Sequence, residues 1–409
     1  MDTLSLHIQY TYKVQHFDHS NMSAQDGKEI SGLQREQELT IDQLVESDPG
    51  LALQRLISQT TVSSISVAES LPCTQHPGQL QLYTHIGVGT CGTVYHESGA
   101  TTVLKLAKSQ EWGVQLWNDY IIHSEVLAAF AKHGSAITLR IPAVHHFTTR
   151  HDAHWWTPNL PFFPRETEPT DVLVSERIMP LPRLIRDSLV NAYCSGDAAR
   201  KAATRHDPAN TACLARVCLG RRRRVRVKPQ TCFSLRKFPL HVDQILDVGL
   251  DARPWARAMG QTLAVMHWEV GCDARDVEFV LGTRGTVVNS GRRSVDLWML
   301  DFNQVRRMSM DEEGVDWAVH AFFENDPYFP RPHAEDAKEQ QLWTVFSEAY
   351  LEMAKRCTQI ATRPALAALP QMFITKVVDE QQKRLRVIGE IQARPRSLHE
   401  YENGETGGG

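Results

Sequence analysis

The sequence predicts an α+β protein in which a small antiparallel β-sheet precedes a mainly helical second half. Between residues 82 and 106, short alternating apolar runs are separated by glycine turns, which indicates three adjacent strands. Further along the chain, apolar side chains recur at helical spacing over residues 254–270 and 337–357. A chain of 409 residues has room for two or three domain-sized units around such elements.

The composition excludes several classes of protein. A net charge of −4 exerts no general attraction on nucleic acids or anionic membranes. No apolar run reaches the roughly 18 residues of a membrane span, and the first residues lack the pattern of a secretory signal. Eight cysteines without a dense framework indicate free thiols in a reducing compartment. We therefore expect a cytoplasmic or nuclear protein with no membrane partner.

Changes in composition divide the chain into segments. The first segment is polar and rich in Gln, Ser, Asp and His, which favours disorder or loose structure. The predicted organisation is a disordered or loosely structured N-terminus at 1–38, short helices and a linker at 39–78, a sheet-containing lobe at 79–178, a helical lobe at 179–395 with a basic insertion at about 196–236, and a flexible tail at 396–409.

A glycine-rich turn joins the first two predicted strands. Gly87, Gly89, Gly92 and Val94 form a G-x-G-x-x-G-x-V pattern, and Lys105 lies on the third strand. Glycines without a Cβ allow backbone N–H groups to approach phosphate oxygens, and the lysine adds a positive charge. The glycines precede a strand rather than a helix, which excludes a dinucleotide-binding turn. The alternative is a glycine-rich hairpin with a purely structural role.

Two later stretches complete a pattern. The first runs over residues 272–281 and contains several acidic residues, and the second is the strand end Leu300-Asp301-Phe302-Asn303. In this order, after the glycine turn and the lysine, they resemble the protein-kinase and aminoglycoside-phosphotransferase superfamily. The resemblance implies a bilobal protein-kinase-like fold, with a small antiparallel β-sheet N-lobe and a mainly helical C-lobe. It also implies that ATP and Mg²⁺ are the cofactors.

The resemblance assigns roles to acidic and basic residues. It implies that Asp273 orients or deprotonates an acceptor hydroxyl, that Arg275 contacts phosphate, and that Glu278 and Asp301 hold the metal ion. In the alternative register, Arg275 and Asp276 form the loop pair, but an apolar residue then stands at the metal position. The chain departs from the family pattern at Gly271, Glu278 and Asn303.

The resemblance also implies a support for Lys105 and a contact for the adenine ring. On the predicted helix that follows the third strand, Glu125 would pair with Lys105. Glu111 is the other candidate for this pairing. The alternative for Glu125 is a solvated carboxylate on the helix surface, without this role. Glu176 and Ile178 lie where a strand leaves for an extended connector. In a bilobal kinase the backbone of this connector would meet the adenine.

More narrowly, the chain is similar to fungal kinase-like proteins that are often labelled as zinc-finger proteins or proteins of unknown function. This similarity implies an intracellular protein without an assigned reaction. It rests on residues 219–223, 233–240, 266–268, 276–282, 300–303 and 325–332.

Three functional hypotheses follow. The first is phosphoryl transfer from ATP to an unidentified small-molecule or protein acceptor. The second is a catalytically impaired, pseudokinase-like module that binds a nucleotide and presents a surface to a partner, because Gly271 and Glu278 depart from the catalytic pattern. The third is a nuclear role or nucleic-acid binding through the basic run from Arg221 to Lys228, for which a solvated loop is the alternative. Cys213, Cys218 and Cys232 lack the paired spacing of a firm zinc site.

Overall fold

A computed structural model of the chain describes residues 41–58, 83–223, 233–284, 294–357 and 366–393. Over these ranges, two small β-sheets combine with helices that dominate the second half, which confirms the predicted α+β class. The predicted N-terminal segment and flexible tail lie outside the described residues, as does most of the linker that follows the first two helices. None of the helices in the described residues is long and apolar enough to cross a membrane.

The first sheet has five strands, and every pairing in it is antiparallel. The spatial order is β1-β2-β3-β5-β4. Leu104, Leu106 and Val174 are buried on one face together with Trp156 and Phe163. The strands are β1 (Tyr83–Val88), β2 (Gly92–Glu97), β3 (Thr102–Ala107), β4 (Val144–Thr148) and β5 (Val172–Glu176).

A long helix, α3 (Gln110–His133), lies against this sheet and ends at Gly134. The apolar spacing from Glu111 to His133, followed by a glycine, predicts a helix with almost these bounds. Gly134 has a φ of +56°, a left-handed conformation that suits glycine at a helix end. Residues 154–164, between β4 and β5, are aromatic and proline-rich, a composition that predicts a long loop. This segment instead contains α4 (Ala153–Asn159). Asp152 caps this helix by accepting a hydrogen bond from the Trp155 backbone N–H at 3.1 Å.

The second sheet has the order β7-β6-β8-β9, with β6 and β7 parallel and the other pairs antiparallel. The interior strand β6 comes from the segment that the sequence suggested was a basic insertion. That interpretation is wrong, because Ala215 and Val217 of β6 are fully buried in the main core. The strands are β6 (Ala215–Cys218), β7 (Pro239–His241), β8 (Glu278–Thr283) and β9 (Val295–Leu300).

The main core lies among the helices of the second half and the second sheet. Within this core α8 packs closely against α10, where a Cβ on Gly260 would lie only 2.3 Å from the Phe346 carbonyl oxygen. Only glycine permits this approach. The remaining helices are α1 (Ile41–Ser47), α2 (Pro49–Ser58), α5 (Arg183–Tyr193), α6 (Ala198–His206), α7 (Val242–Asp247), α8 (Arg253–Val265), α9 (Glu312–Glu324), α10 (Ala337–Cys357) and α11 (Leu369–Ala393).

Two connections position the candidate site between the sheets. The connector after β5 pairs with the second sheet, since the backbone groups of Met179 and Thr283 exchange hydrogen bonds of 2.9 and 2.8 Å. After α8, a π-helical turn (Met266–Val270) ends at Gly271, whose φ of +75° is left-handed. Gly271 stands where the kinase pattern has a histidine, and this turn explains why a glycine is favoured there.

Candidate functional site

Lys105, in the middle of β3, is held between two carboxylates from distant parts of the chain. Its Nζ lies 2.7 Å from Asp119 Oδ2 and 2.7 Å from Asp301 Oδ1. Burial alone would lower the pKa of Lys105, but the two negative charges outweigh burial and raise the pKa well above its usual value. The lysine therefore stays charged in an enclosed position. The structure thus brings Lys105 and Asp301, two of the predicted site residues, into direct contact.

The helical partner of Lys105 is Asp119, so the predicted pairing with Glu125 is wrong. Glu125 instead forms a bidentate pair with Arg307, with both N–O distances 2.7 Å and with both side chains about half exposed. The reason is the helical period. Leu116, Asp119 and Ile122 share the buried face of α3, whereas Glu125 lies outside it. An acid within an apolar helical stripe was the available signal for Asp119.

Asp119 also orders the segment that carries Asp301. Its Oδ1 accepts a hydrogen bond of 3.0 Å from the Phe302 backbone N–H. Asp301 itself has a φ of +69°, which is uncommon for a residue with a side chain. One buried carboxylate thus fixes both the lysine and the turn after β9. This arrangement determines where the Asp301 carboxylate lies.

The glycine turn lies directly beside Lys105. Val94 on β2 is paired with Lys105 on β3, and a Cβ on Gly92 would lie 2.9 Å from the Leu106 carbonyl oxygen. Gly92 is therefore required by strand packing. A Cβ on Gly87 or Gly89 would meet no atom closer than 3.9 or 3.7 Å respectively, so packing within the described protein does not require these two glycines.

Asp273, the preferred loop acid, is engaged in structural contacts. Its Oδ1 accepts hydrogen bonds from the backbone N–H groups of Arg275 and Arg306, at 3.0 and 2.9 Å, and its side chain is 2% exposed. Burial raises its pKa, although these hydrogen bonds partly oppose the increase. These contacts do not favour the predicted preference for Asp273 over Asp276, because they engage an enclosed carboxylate within the fold. Asp273 anchors the loop to the segment after β9.

Asp276, the loop acid of the alternative register, interacts electrostatically with Asp301. Burial raises the pKa of Asp276, and the charge of Asp301 raises it further, while Arg216 and Lys105 act in the opposite direction. The Asp276 side chain accepts a hydrogen bond of 2.5 Å from Gln304 Nε2. Asp276 is exposed to solvent and is therefore accessible to a ligand.

The backbone around Asp276 is in an uncommon conformation. Ala274 and Asp276 have φ values of +54° and +61°. Asn325 supports both, since its side chain accepts a hydrogen bond from the Asp276 backbone N–H and donates one of 2.6 Å to the Ala274 carbonyl. With Asp301, three left-handed residues that carry side chains lie in this region. Such conformations concentrate at functional sites, where surrounding contacts maintain them.

Arg275 points towards α9 rather than towards Lys105. Its guanidinium pairs with Glu324 and lies 3.1 Å from His320 Nδ1, while its Nε is 3.7 Å from Asp273 Oδ2. The predicted phosphate contact of Arg275 is therefore not supported by its position. These three partners occupy the guanidinium and connect the loop to α9.

Glu278 begins β8 and is paired across the strands with Leu300, the residue before Asp301. It forms a short ion pair with Arg216 on β6. Burial raises the pKa of Glu278, Arg216 lowers it, and the charge of Asp301 raises it again. Glu278 therefore lies in the same charged region as Asp301, as expected of a metal-binding pair. Arg216 was missed in the sequence because it lies in the segment interpreted as an insertion.

Glu176 and Ile178, the connector residues, differ in whether their backbone groups form hydrogen bonds within the described part of the chain. The Glu176 N–H donates to the Ala143 carbonyl at 2.7 Å, and the Glu176 carboxylate accepts from the Ala143 N–H at 3.0 Å. The Glu176 N–H is therefore used within the protein, and the adenine contact through the connector backbone stays a prediction. No hydrogen bond within the described part of the chain uses the backbone of Ile178.

The described part of the basic run is paired with acids. Arg221 forms an ion pair with Asp326. Arg222 Nε lies 2.5 Å from Glu339 Oε1, and Arg223 Nε lies 2.6 Å from Asp243 Oδ2. These pairs neutralise three of the arginines. The rest of the run, from residue 224 to Lys228, lies outside the described residues.

The cysteines predicted as weak zinc candidates do not form a described cluster. Cys213 and Cys218 are buried free thiols, and burial raises the pKa of each to about 12. Cys232 lies outside the described residues. Each of the six cysteines in the described part of the chain is free, as the sequence predicts.

A model of the family described as DUF3669, zinc finger protein, matches residues 297–362. No curated protein matches the chain. The assignment to the protein-kinase and aminoglycoside-phosphotransferase superfamily is therefore wrong, because the family match is to this zinc finger protein family and no kinase family supports it. The matched segment contains one cysteine, Cys357, and two histidines, His320 and His333. These are too few thiols for a Cys₄ or Cys₂His₂ finger within that segment.

Proposed function

We propose that this chain binds ATP with Mg²⁺ in a bilobal, kinase-like arrangement, between the glycine hairpin of the first sheet and the end of β9 in the second. The observation that carries the proposal is the position of Lys105 between Asp119 and Asp301. A buried lysine that two acids keep charged and oriented, next to a glycine turn, is suited to triphosphate binding.

The glycines of the hairpin support the nucleotide-binding proposal independently of Lys105. Packing within the described protein does not require Gly87 or Gly89 to lack a side chain. Close approach of phosphate oxygens to the hairpin backbone would require it, because a Cβ would stand between them. The unused backbone groups of Ile178 would offer hydrogen bonds to the adenine ring in the same arrangement.

The acids would serve the metal ion and the acceptor. Asp301 and Glu278 would hold Mg²⁺, since carboxylate oxygens are the ligands that this ion prefers, and the ion would neutralise phosphate charge. Asp276 would orient an acceptor hydroxyl and take its proton, and its raised pKa moves it towards the range useful for that task. The acceptor would be a small molecule or a protein side chain that bears a hydroxyl group.

A second candidate function is a nucleotide-binding module with little or no turnover. Two ion pairs favour it: Lys105 is in direct contact with Asp301, and Glu278 is paired with Arg216. Phosphate binding requires the first pair to open, and metal binding by Glu278 requires the second to loosen. The first cost applies to nucleotide binding and to turnover alike, whereas the second falls on metal binding and therefore mainly on turnover.

Thermal unfolding of the full chain with and without ATP and Mg²⁺ tests nucleotide binding. At an ATP concentration 100-fold above Kd, binding should stabilise the wild type by about 2.7 kcal/mol. Lys105→Met should lose most of this stabilisation, whereas Lys108→Met, an exposed lysine on the same segment, should retain it. A wild-type protein that ATP does not stabilise would contradict the proposal.

A comparison of two aspartate variants separates turnover from binding. If the chain transfers phosphate, Asp276→Asn should lower the rate by about 10²- to 10⁴-fold, the usual contribution of a positioned base, and should change stability little. Asp273→Asn should mainly lower stability, because Asp273 anchors two backbone N–H groups. ATP binding without hydrolysis or transfer in the wild type would favour the binding module.

A further inference from the structure

A histidine, a carboxylate and a thiol meet at a second location, formed by the ends of two helices and the π-helical turn. His133 is the last residue of α3, Glu269 lies in the turn, and Cys357 is the last residue of α10. His133 Nε2 lies 2.5 Å from Glu269 Oε2 and 3.8 Å from Cys357 Sγ. Among the described residues, this is the one group of three potential metal ligands whose ligand atoms all lie within 4.8 Å of one another.

We propose that His133, Glu269 and Cys357 bind one divalent transition-metal ion of the zinc class. Imidazole nitrogen, carboxylate oxygen and thiolate sulfur are the ligands that Zn²⁺ takes from proteins. Tetrahedral bonds of usual length place the nitrogen about 3.3 Å from the oxygen and about 3.5 Å from the sulfur. From the present separations, the nitrogen and oxygen therefore need to move apart by about 0.8 Å and the nitrogen and sulfur to approach by about 0.3 Å.

Metal binding at this site would have to displace a proton from Cys357. Burial and the charge of Glu269 raise the pKa of Cys357 to about 12, so the free site holds a thiol. Burial opposes ionisation of Glu269, but hydrogen bonds from Lys132 and His133 outweigh it and lower its pKa. Metal binding would release the Cys357 proton, as thiolate ligation requires. One thiolate and one carboxylate then balance the two charges of the ion, with Lys132 and Arg356 nearby.

This arrangement differs from a zinc finger. His133 and Glu269 are 136 residues apart, and His133 and Cys357 are 224 residues apart, so the site exists only in the folded chain. Three protein ligands leave a fourth coordination position for water or another donor.

The ion would connect the elements of the first site. It would join the end of α3, the helix that carries Asp119, to the turn that leads into the Asp273 loop. The ion would therefore help to hold α3 in position, and this proposal does not depend on nucleotide binding.

Titration of the metal-stripped full chain with Co²⁺ tests the proposal. We expect one equivalent to bind, with a thiolate-to-cobalt charge-transfer band that Zn²⁺ abolishes by displacement. Cys357→Ser should abolish the band, and His133→Gln and Glu269→Gln should each weaken binding by more than about 10-fold, the loss usual even for an outer-shell partner. Cys194→Ser, at a buried free thiol elsewhere, should retain the band.

A measurement on the wild-type protein tests the proposal even if the variants fail to fold. Zn²⁺ should slow alkylation of Cys357, followed by mass spectrometry of its peptide, and should leave the alkylation rate of Cys194 unchanged. If Co²⁺ gives no thiolate band and Zn²⁺ gives no protection of Cys357, the three residues form only an ion pair with an adjacent thiol and the proposal is overturned. A band that persists in folded Cys357→Ser would also overturn it.

Discussion

Asp119 contacts the ammonium group of Lys105 with one carboxylate oxygen, at 2.7 Å, and the backbone N–H of Phe302 with the other, at 3.0 Å. These contacts join α3, β3 and the end of β9 at one side chain. Because Asp119 is 3% exposed, water cannot easily replace either partner. The position of the candidate phosphate-binding lysine therefore depends on this aspartate.

Replacing Asp119 should destabilise the protein far more than replacing Glu125. Asp119→Asn should lower the free energy of unfolding by about 2–4 kcal/mol, because it leaves a buried lysine with only one acidic partner. Glu125→Gln should cost less than about 1 kcal/mol, since its pair with Arg307 is half exposed. Urea unfolding of both variants measures the difference. Equal losses would show that Asp119 does not carry the stabilising contact.

Two glycines in the same hairpin should differ in how much their substitution by alanine lowers the free energy of unfolding. Gly92→Ala should lower the free energy of unfolding by about 1–3 kcal/mol, because its Cβ would press on the Leu106 carbonyl. Gly89→Ala should change stability by less than about 1 kcal/mol, since its Cβ has room.

If the hairpin binds phosphate, Gly89→Ala should nevertheless weaken ATP binding by at least about 10-fold, equivalent to about 1.4 kcal/mol. Isothermal titration calorimetry of ATP into both proteins measures this effect. Unchanged affinity in stable Gly89→Ala would remove the argument that the glycine makes space for a ligand.

His267 is neutral and fully buried beside the candidate site. Tyr350 OH accepts a hydrogen bond of 2.9 Å from the Trp268 indole N–H, so its own hydrogen can be donated to His267 Nδ1, also at 2.9 Å. This arrangement requires Nδ1 to be unprotonated. Burial lowers the pKa of His267 to about 3 in the folded protein. A proton on Nδ1 would remove the acceptor of the Tyr350 hydroxyl hydrogen.

The buried histidine should make the protein less stable at mildly acidic pH. Its pKa in the unfolded chain is about 6.5, so between pH 6.5 and 3 the unfolded state binds the proton that the folded state does not. Stability therefore falls as the pH decreases through this window, by about 2 kcal/mol from this group between pH 7 and pH 5.

Urea unfolding of the wild type and of His267→Gln at pH 7 and pH 5 measures this contribution. The variant should lose about 2 kcal/mol less than the wild type over this interval. His154→Gln, at an exposed histidine on α4, should keep the wild-type pH dependence. A wild-type slope in His267→Gln would assign the acid sensitivity to other groups.

Local patterns predicted the elements around the site well. The alternation before and after the glycines predicted β1, β2 and β3, and the apolar helical spacing that ends at Gly134 predicted α3 almost to the residue. The α4 helix was missed because its capping aspartate and packed aromatic rings outweigh its loop-like composition. Strand β6 was missed because it is short and lies next to a basic run.

The sequence by itself determined which residues occupy the hairpin, the central strand and the end of β9, because alternation and glycine placement act over a few neighbouring residues. Only the tertiary structure decided that Asp119 rather than Glu125 contacts Lys105. It also decided that Asp276 rather than Asp273 interacts electrostatically with Asp301. It also brought His133, Glu269 and Cys357 together. These outcomes depend on how helices, strands and loops dock against one another in three dimensions, which local periodicity does not encode.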